Sequence, residues 1–279
     1  MDRSEGSFQA GNGQKIFYRR WSAVEPRAVI LLAHGLAEHS GRYYEFADFF
    51  AEEGFTTWAL DHPGHGQSGG KRGHVGQFEE YTDALGQLLT LARQAHPDIP
   101  FVLLGHSMGG LIAADFLLQH QDEFVAAVLS GAAIQSPQQP SRFVLFMTRM
   151  IAAVMPQLGV LRMDASGISK DPQVVSNYEN DVLVYRGKAS AGLVTEIFSA
   201  MNRVVADAAS IRLPLLILHG SIDKLAAVDG SKLLHEKVSS ADKQIIIYDG
   251  LYHEILNEPE RQKVMDDILA WLNPRLTSH

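Results

Sequence analysis

No cysteine occurs among the 279 residues. That absence excludes disulfides, thiolate metal sites and a cysteine nucleophile together, and it suits a reducing compartment. Basic residues are in deficit: 24 Lys and Arg stand against 32 Asp and Glu, a net charge of −8. The acids are spread along the chain and no basic stripe is visible, so nucleic-acid binding is not expected. A long uninterrupted apolar run is also missing. The most apolar region, Phe143 to Met163, is broken by Arg149, Pro156, Gly159 and Arg162 and does not read as a membrane span. The opening Met1-Asp2-Arg3-Ser4-Glu5 has no signal-peptide character, and the last residues carry no lipidation motif. A cytoplasmic protein is therefore expected. Repeats at solenoid spacing and low-complexity tracts are absent too. What is present is ordinary for a folded chain, 20% charged and 46% hydrophobic. Its length suffices for a full core without staples.

Short apolar runs alternate with amphipathic stretches. Ser7–Ala10 and Lys15–Trp21 flank Gly11-Asn12-Gly13, a hairpin signal. Strands are predicted at Ala28–Ala33, Phe55–Leu60, Phe101–Gly105, Phe124–Ser130, Leu213–His219 and Gln244–Tyr248. Between and after them the pattern predicts helices over Arg42–Glu52, Phe78–Ala95, Gly109–His120, Gly230–Val238 and Pro259–Leu272. This alternation implies an α/β fold, a mostly parallel central sheet with helices on both faces. The rhythm breaks over residues 136–209, where helical periodicity continues without a convincing strand. That stretch reads as an inserted helical cap on a core made of residues 1–135 and 210–279. It holds Met147, Met150, Met155, Met163 and Met201, five of the eight methionines, soft side chains suited to an adaptable apolar pocket.

Gly105-His106-Ser107-Met108-Gly109 is a G-x-S-x-G that follows an apolar strand and opens a helix. That setting is a nucleophile elbow, a sharp turn that lifts Ser107 above the sheet. A serine hydroxyl needs a base, and the base needs an orienting acid. Asp223 follows one late strand and His253 the next, giving the order Ser…Asp…His of an α/β-hydrolase. Rival assignments are weaker. Asp229 reads as the N-cap of the following helix, Asp249 lies too close to its strand, and His235 falls on a helix surface. An oxyanion needs two N–H donors. Met108, directly after the nucleophile, supplies one, and Leu36 in His34-Gly35-Leu36 the other.

Two patterns are decoys. Gly64-His65-Gly66-Gln67-Ser68-Gly69 matches a dinucleotide fingerprint, but Gly70-Lys71-Arg72-Gly73 follows and no helix begins there to hold a pyrophosphate. His62, His65 and His74 lack metal-ligand spacing and read as loop packing. Neither a metal nor a cofactor is expected.

Five segments stand out together: His34-Gly35-Leu36-Ala37-Glu38-His39-Ser40-Gly41-Arg42-Tyr43, Asp61-His62-Pro63-Gly64-His65-Gly66-Gln67-Ser68, the elbow, Gly220-Ser221-Ile222-Asp223 and Tyr248-Asp249-Gly250-Leu251-Tyr252-His253-Glu254. In these the chain resembles the monoacylglycerol lipase and lysophospholipase family of α/β-hydrolases. The resemblance implies a serine carboxylester hydrolase acting on monoacylglycerols, with lysophospholipids or short acyl esters as alternative substrates and a non-catalytic receptor as the alternative of another class. It further implies that Glu38, Arg42 and His106 build the glycerol end and that Tyr178 reaches it from the cap. Glu38 and Arg42 read equally well as a loop brace. Finally, it implies contact with membranes or lipid aggregates through an apolar cap helix, here Phe143–Val154.

Overall fold

A computed structural model describes residues 2–138 and 140–276, with only the backbone of Arg142. The chain begins with a hairpin, β1 (Asp2–Gln9) and β2 (Lys15–Ser22), longer at its first strand than the turn signal suggested. Then come β3 (Ala28–Ala33), α1 (Tyr44–Glu52), β4 (Phe55–Leu60), α2 (Glu79–Ala95), β5 (Phe101–His106), α3 (Met108–His120) and β6 (Ala126–Ser130). Next are α4 (Arg142–Val154), β7 (Gly159–Arg162), α5 (Pro172–Asn180), β8 (Lys188–Ser190) and α6 (Ala191–Asp207). The chain closes with β9 (Leu215–Gly220), α7 (Val228–Lys237), β10 (Lys243–Tyr248) and α8 (Arg261–Leu276).

Eight strands form one sheet in the order β1-β2-β4-β3-β5-β6-β9-β10. The hairpin and its junction with β4 are antiparallel; every other pair is parallel. Strands β3, β4, β5, β6 and β9 are buried at every residue. That is why they read as continuous apolar runs rather than alternating ones. Two cores result. Side chains of α2 and α3, and Leu234 between β9 and β10, pack on one face of the sheet, with α6 laid against α3, and those of α1 and α8 pack on the other.

The order of winding fixes where a site forms. From β3 the chain crosses to β4 on one side, then returns to place β5 on the other. Loops leaving β3 and β5 therefore diverge, and the crevice between them lies at the carboxyl ends of those strands. Residues 34–39 leave β3 there, and Ser107 leaves β5.

Three expectations need correction. The segment between β6 and β9 contains strands after all: β7 and β8 pair antiparallel in a small second sheet. They run only four and three residues, too short to show a period. Helix α7 is capped by Ala227, not Asp229, which lies in its first turn and binds Lys232 Nζ at 3.1 Å. The cap methionines also disperse. Met147, Met150 and Met155 are exposed, Met163 lines one cavity and Met201 another.

Candidate active site

The elbow forms because its glycines leave no alternative. A Cβ on Gly109 would lie 2.1 Å from the carbonyl oxygen of Ala33, and one on Gly105 would lie 2.4 Å from that of Gly109. Helix α3 can thus start directly beneath the loop after β3. Ser107 takes φ 55° and ψ −120°, left-handed backbone on a residue with a side chain. Such strain costs on the order of 1–3 kcal/mol and is held by its surroundings. Here the Ser107 amide donates to Ser130 O at 2.9 Å, and the Ser107 carbonyl accepts from Leu111 N and Ala133 N.

Ser107 Oγ lies 2.8 Å from His253 Nε2, and His253 Nδ1 lies 2.6 Å from Asp223 Oδ2. The serine is 8% exposed and the histidine buried. Asp223 Oδ1 accepts from the amides of Leu225 and Ala226 at 2.7 and 2.9 Å. Burial pushes this carboxyl up, but His253 and His219 beside it hold it far below the ordinary carboxylate range. Burial alone would lower the His253 imidazole; the Asp223 carboxylate overrides it, and the ring sits above its ordinary 6.5. The rivals stand apart. Asp229 is exposed, and so is Asp249, which accepts from Ser221 Oγ at 3.2 Å. His235 is half-buried on α7 rather than on its surface.

The amides of Leu36 and Met108 donate to no other group among the described residues. Met108 opens α3, whose unpaired N–H groups point to where an anion would develop. The loop carrying Leu36 is braced by Glu38. Its Oε1 accepts from Gly35 N at 2.6 Å and from Tyr43 Oη at 2.7 Å. Ala37 beside it has φ 71°. Arg42 Nη1 binds Glu38 Oε2 at 2.9 Å, and the Arg42 plane lies against the Tyr178 ring. His106 packs 4.8 Å from the His253 ring and places Nδ1 3.0 Å from Ser130 O. Burial holds His106 neutral, down to about 3.

The structure thus brings Glu38, Arg42, His106 and Tyr178 to one end of the nucleophile. Sequence reading did not single out two neighbours. Glu254 binds Arg42 through both carboxylate oxygens, at 2.5 and 2.7 Å. His219 Nε2 lies 2.9 Å from Asp223 Oδ2. The decoy loop is structural. Asp61 Oδ1 accepts from Ser40 N, and its Oδ2 from Gln67 N, which ties the loop to residues 39–43. His62 and His65 are buried against His34 and Tyr81, and His74 bonds Ser190 Oγ at 2.8 Å.

A cavity of about 250 Å³ lies between α4, α6 and the loop after β6, where Leu145, Phe198, Met201 and Val205 line it together with Gln135, Ser136 and Asn202. No helix among the described residues is long and apolar enough to cross a membrane.

A strained serine already paired to a buried, carboxylate-backed imidazole is built for attack on an acyl carbon, and this chain is a serine hydrolase on the α/β-hydrolase fold. Comparison with known proteins narrows the class. Residues 24–260 match the family model described as serine aminopeptidase, S33. The chain is 40% identical over 271 residues to the monoacylglycerol lipase of Mycolicibacterium smegmatis, covering 97% of each. It is 33% identical to the monoglyceride lipase of Homo sapiens, over 95% of this chain and 88% of that one. Its structure superposes on that of Paleococcus ferrophilus monoacylglycerol lipase with TM-score 0.82 at 30% identity, covering 99% and 100% of the chains. The chain belongs to this S33 family and, within it, to the monoacylglycerol lipase-like α/β-hydrolases.

Proposed function

We propose that the protein hydrolyses monoacylglycerols to glycerol and fatty acid through an acyl-enzyme. The observation that carries this reading is the connected array Asp223–His253–Ser107, with a polar, arginine-bearing end at one side of the serine. Ser107 Oγ attacks the ester carbonyl while His253 Nε2 takes its proton. Asp223 keeps Nδ1 protonated and stabilises the imidazolium. The amides of Leu36 and Met108 hold the oxyanion. His253 then protonates the leaving glycerol, and water activated by the same ring releases the acid.

Residues 136–209 act as a cap in this reading. In this reading the acyl chain lies in the cavity between α4, α6 and the loop after β6, along Leu145, Phe198, Met201 and Val205, while Glu38, Arg42, His106 and Tyr178 surround the alcohol. The exposed apolar side of α4 meets lipid, which makes the protein peripheral at membranes from a cytoplasmic location.

The test is a panel of monoacyl-, diacyl- and triacylglycerols and lysophospholipids of one acyl length in one detergent. Monoacylglycerols are expected to turn over far faster than triacylglycerols, because an alcohol end of glycerol size does not admit two further chains. Equal or faster triacylglycerol turnover would identify a true lipase, and faster lysophospholipid turnover a lysophospholipase.

A further inference from the structure

Two carboxylates engage Arg42 through both its terminal nitrogens. Its Nη1 lies 2.5 Å from Glu254 Oε1 and 2.9 Å from Glu38 Oε2, and its Nη2 lies 2.7 Å from Glu254 Oε2. The Tyr178 ring covers the guanidinium, 4.8 Å from carbon to centroid. Glu254 Oε2 also accepts from Asn257 Nδ2 at 2.9 Å. Glu38 and Glu254 are 3% and 4% exposed. Two carboxylates face one guanidinium, so with both ionised one negative charge is in surplus, and burial denies it the screening of a surface charge. Burial works against the Glu254 anion too, but Arg42 holds its carboxyl below the ordinary value. The Glu38 carboxyl is raised, first by burial and further by Glu254.

This cluster abuts the reacting centre. A methyl on Gly35 would touch Glu38 Oε1 at 2.9 Å and Ser107 Cβ at 3.1 Å. Glu38 Oε1 and Ser107 Cβ therefore lie within about 6 Å of each other, across Gly35. Glu254 follows His253 directly in the chain.

We propose that Glu254 is a specificity-determining residue: by occupying both arms of the Arg42 fork it turns the alcohol end anionic, so that esters of uncharged or cationic alcohols are accepted and esters of anionic alcohols rejected. The inference rests on the reading of Ser107 as the nucleophile of a small-alcohol ester hydrolase. A free arginine beside the serine would be a bidentate receptor for phosphate or carboxylate. In this site a phosphate on the alcohol must displace a buried carboxylate and leave it unpaired, or sit beside the surplus charge. At several ångströms and an effective dielectric near 20, that repulsion is worth about tenfold or more in rate.

The experiment uses soluble octanoyl esters of glycerol, glycerol 3-phosphate and choline, below their critical micelle concentrations. It measures kcat/KM for the wild-type protein, Glu254→Gln and Glu254→Asp. Wild type is expected to favour the glycerol and choline esters over the phosphate ester by about tenfold or more. That ratio should persist in high salt, because the charges are buried. In Glu254→Gln the phosphate-to-glycerol ratio rises by about tenfold while the choline-to-glycerol ratio falls. Opposite shifts of this kind are not produced by a loosened loop, which lowers all three rates. Glu254→Asp keeps the wild-type ranking. Comparable wild-type turnover of the phosphate and glycerol esters would overturn the proposal, as would wild-type ratios in Glu254→Gln. If Glu254→Gln does not fold, the wild-type ranking and its retention in Glu254→Asp decide the matter. Weak glycerol ester turnover beside p-nitrophenyl octanoate would remove the monoacylglycerol reading, while the charge ranking of the three esters still tests this one.

Discussion

His219 Nε2 lies 2.9 Å from Asp223 Oδ2, the same carboxylate oxygen that His253 Nδ1 approaches at 2.6 Å. His219 Nδ1 lies 2.7 Å from Ser231 Oγ, and Nε2 also faces Ala226 O at 3.2 Å. With two acceptors before it, Nε2 carries the proton and donates. One carboxylate thus serves two imidazoles, and the second keeps it in place and weakens its pull on the first. Replacing His219 by Leu removes that donor. We expect kcat to fall roughly tenfold, the worth of one hydrogen bond to a charged group. The acid limb of kcat/KM should move upward, because Asp223 then stabilises the His253 imidazolium more. An unmoved acid limb would show that His219 only fills space.

Ser107→Ala is expected to lower kcat by roughly 10⁴–10⁶ without loss of fold. Asp223→Asn should cost about 10⁴, because an amide favours the wrong tautomer of the histidine. Asp229→Asn and Asp249→Asn should leave rates near wild type, since both carboxylates are exposed. Inactivation by either of these, with Asp223→Asn active, would reassign the acid.

The base is active only when neutral, so activity should fall as pH drops through the His253 value. The Asp223 carboxylate raises that value above the ordinary 6.5 despite burial. The acid limb of kcat/KM for a soluble ester is therefore expected above pH 6.5, and a limb below it would contradict the charge balance described here.

Stability should show a separate acid dependence. Burial is the main cause that lowers His62 to about 3, His65 to about 4, His106 to about 3 and His34 well below 6.5. The unfolded chain binds protons that the folded chain refuses, so stability is full above the unfolded value and declines as pH falls toward the folded ones. Near pH 5 each such histidine costs up to about 2 kcal/mol. His253, with its raised value, has the opposite sign, losing its contribution as pH rises, but it is one ring against these four and the more exposed His74 and His96, which are also lowered. Urea midpoints should drop between pH 7.5 and pH 5, and His62→Gln should flatten that slope. A pH-independent midpoint would refute the buried neutral state.

What was legible in the chain follows from locality. Ser107, Asp223 and His253 each sit just after a strand whose apolar run is visible, so position along the fold supplied what residue type alone could not. The elbow glycines were legible for the same reason, since two backbones must meet there. Glu254 and His219 had no such marker. Glu254 matters because residues 42 and 254 meet in space, a contact 212 positions apart that no period encodes. His219 is the last residue but one of a buried strand and looks like any β9 residue until Asp223 folds back onto it. Strands β7 and β8 stayed hidden because each is stabilised by its partner, not by its own pattern. The N-cap assigned to Asp229 failed by two positions, as helix starts do when a hydrophobic residue takes the cap.

The exposed side of α4 makes a prediction about lipid. Phe143, Phe146 and Met150 are 71%, 57% and 50% exposed, with Val144, Met147 and Val154 also open to solvent. Ser141 caps the helix by accepting from Val144 N. Leu145 turns inward to the cavity beside α6, so the outward residues are surplus to that packing. A contiguous patch of large apolar side chains is rare on a soluble monomer without a use. At about 25 cal/mol per Å² of buried apolar surface, two such side chains contribute a few kcal/mol to adsorption. The double variant Phe146→Ser, Met150→Ser is therefore expected to bind vesicles at least tenfold more weakly. Its turnover of micellar or vesicular monoacylglycerol should fall, and its turnover of a short, fully soluble ester should not. A parallel loss on both substrates would place these side chains in the acyl cavity or the fold, and no loss on either would remove α4 as the lipid contact.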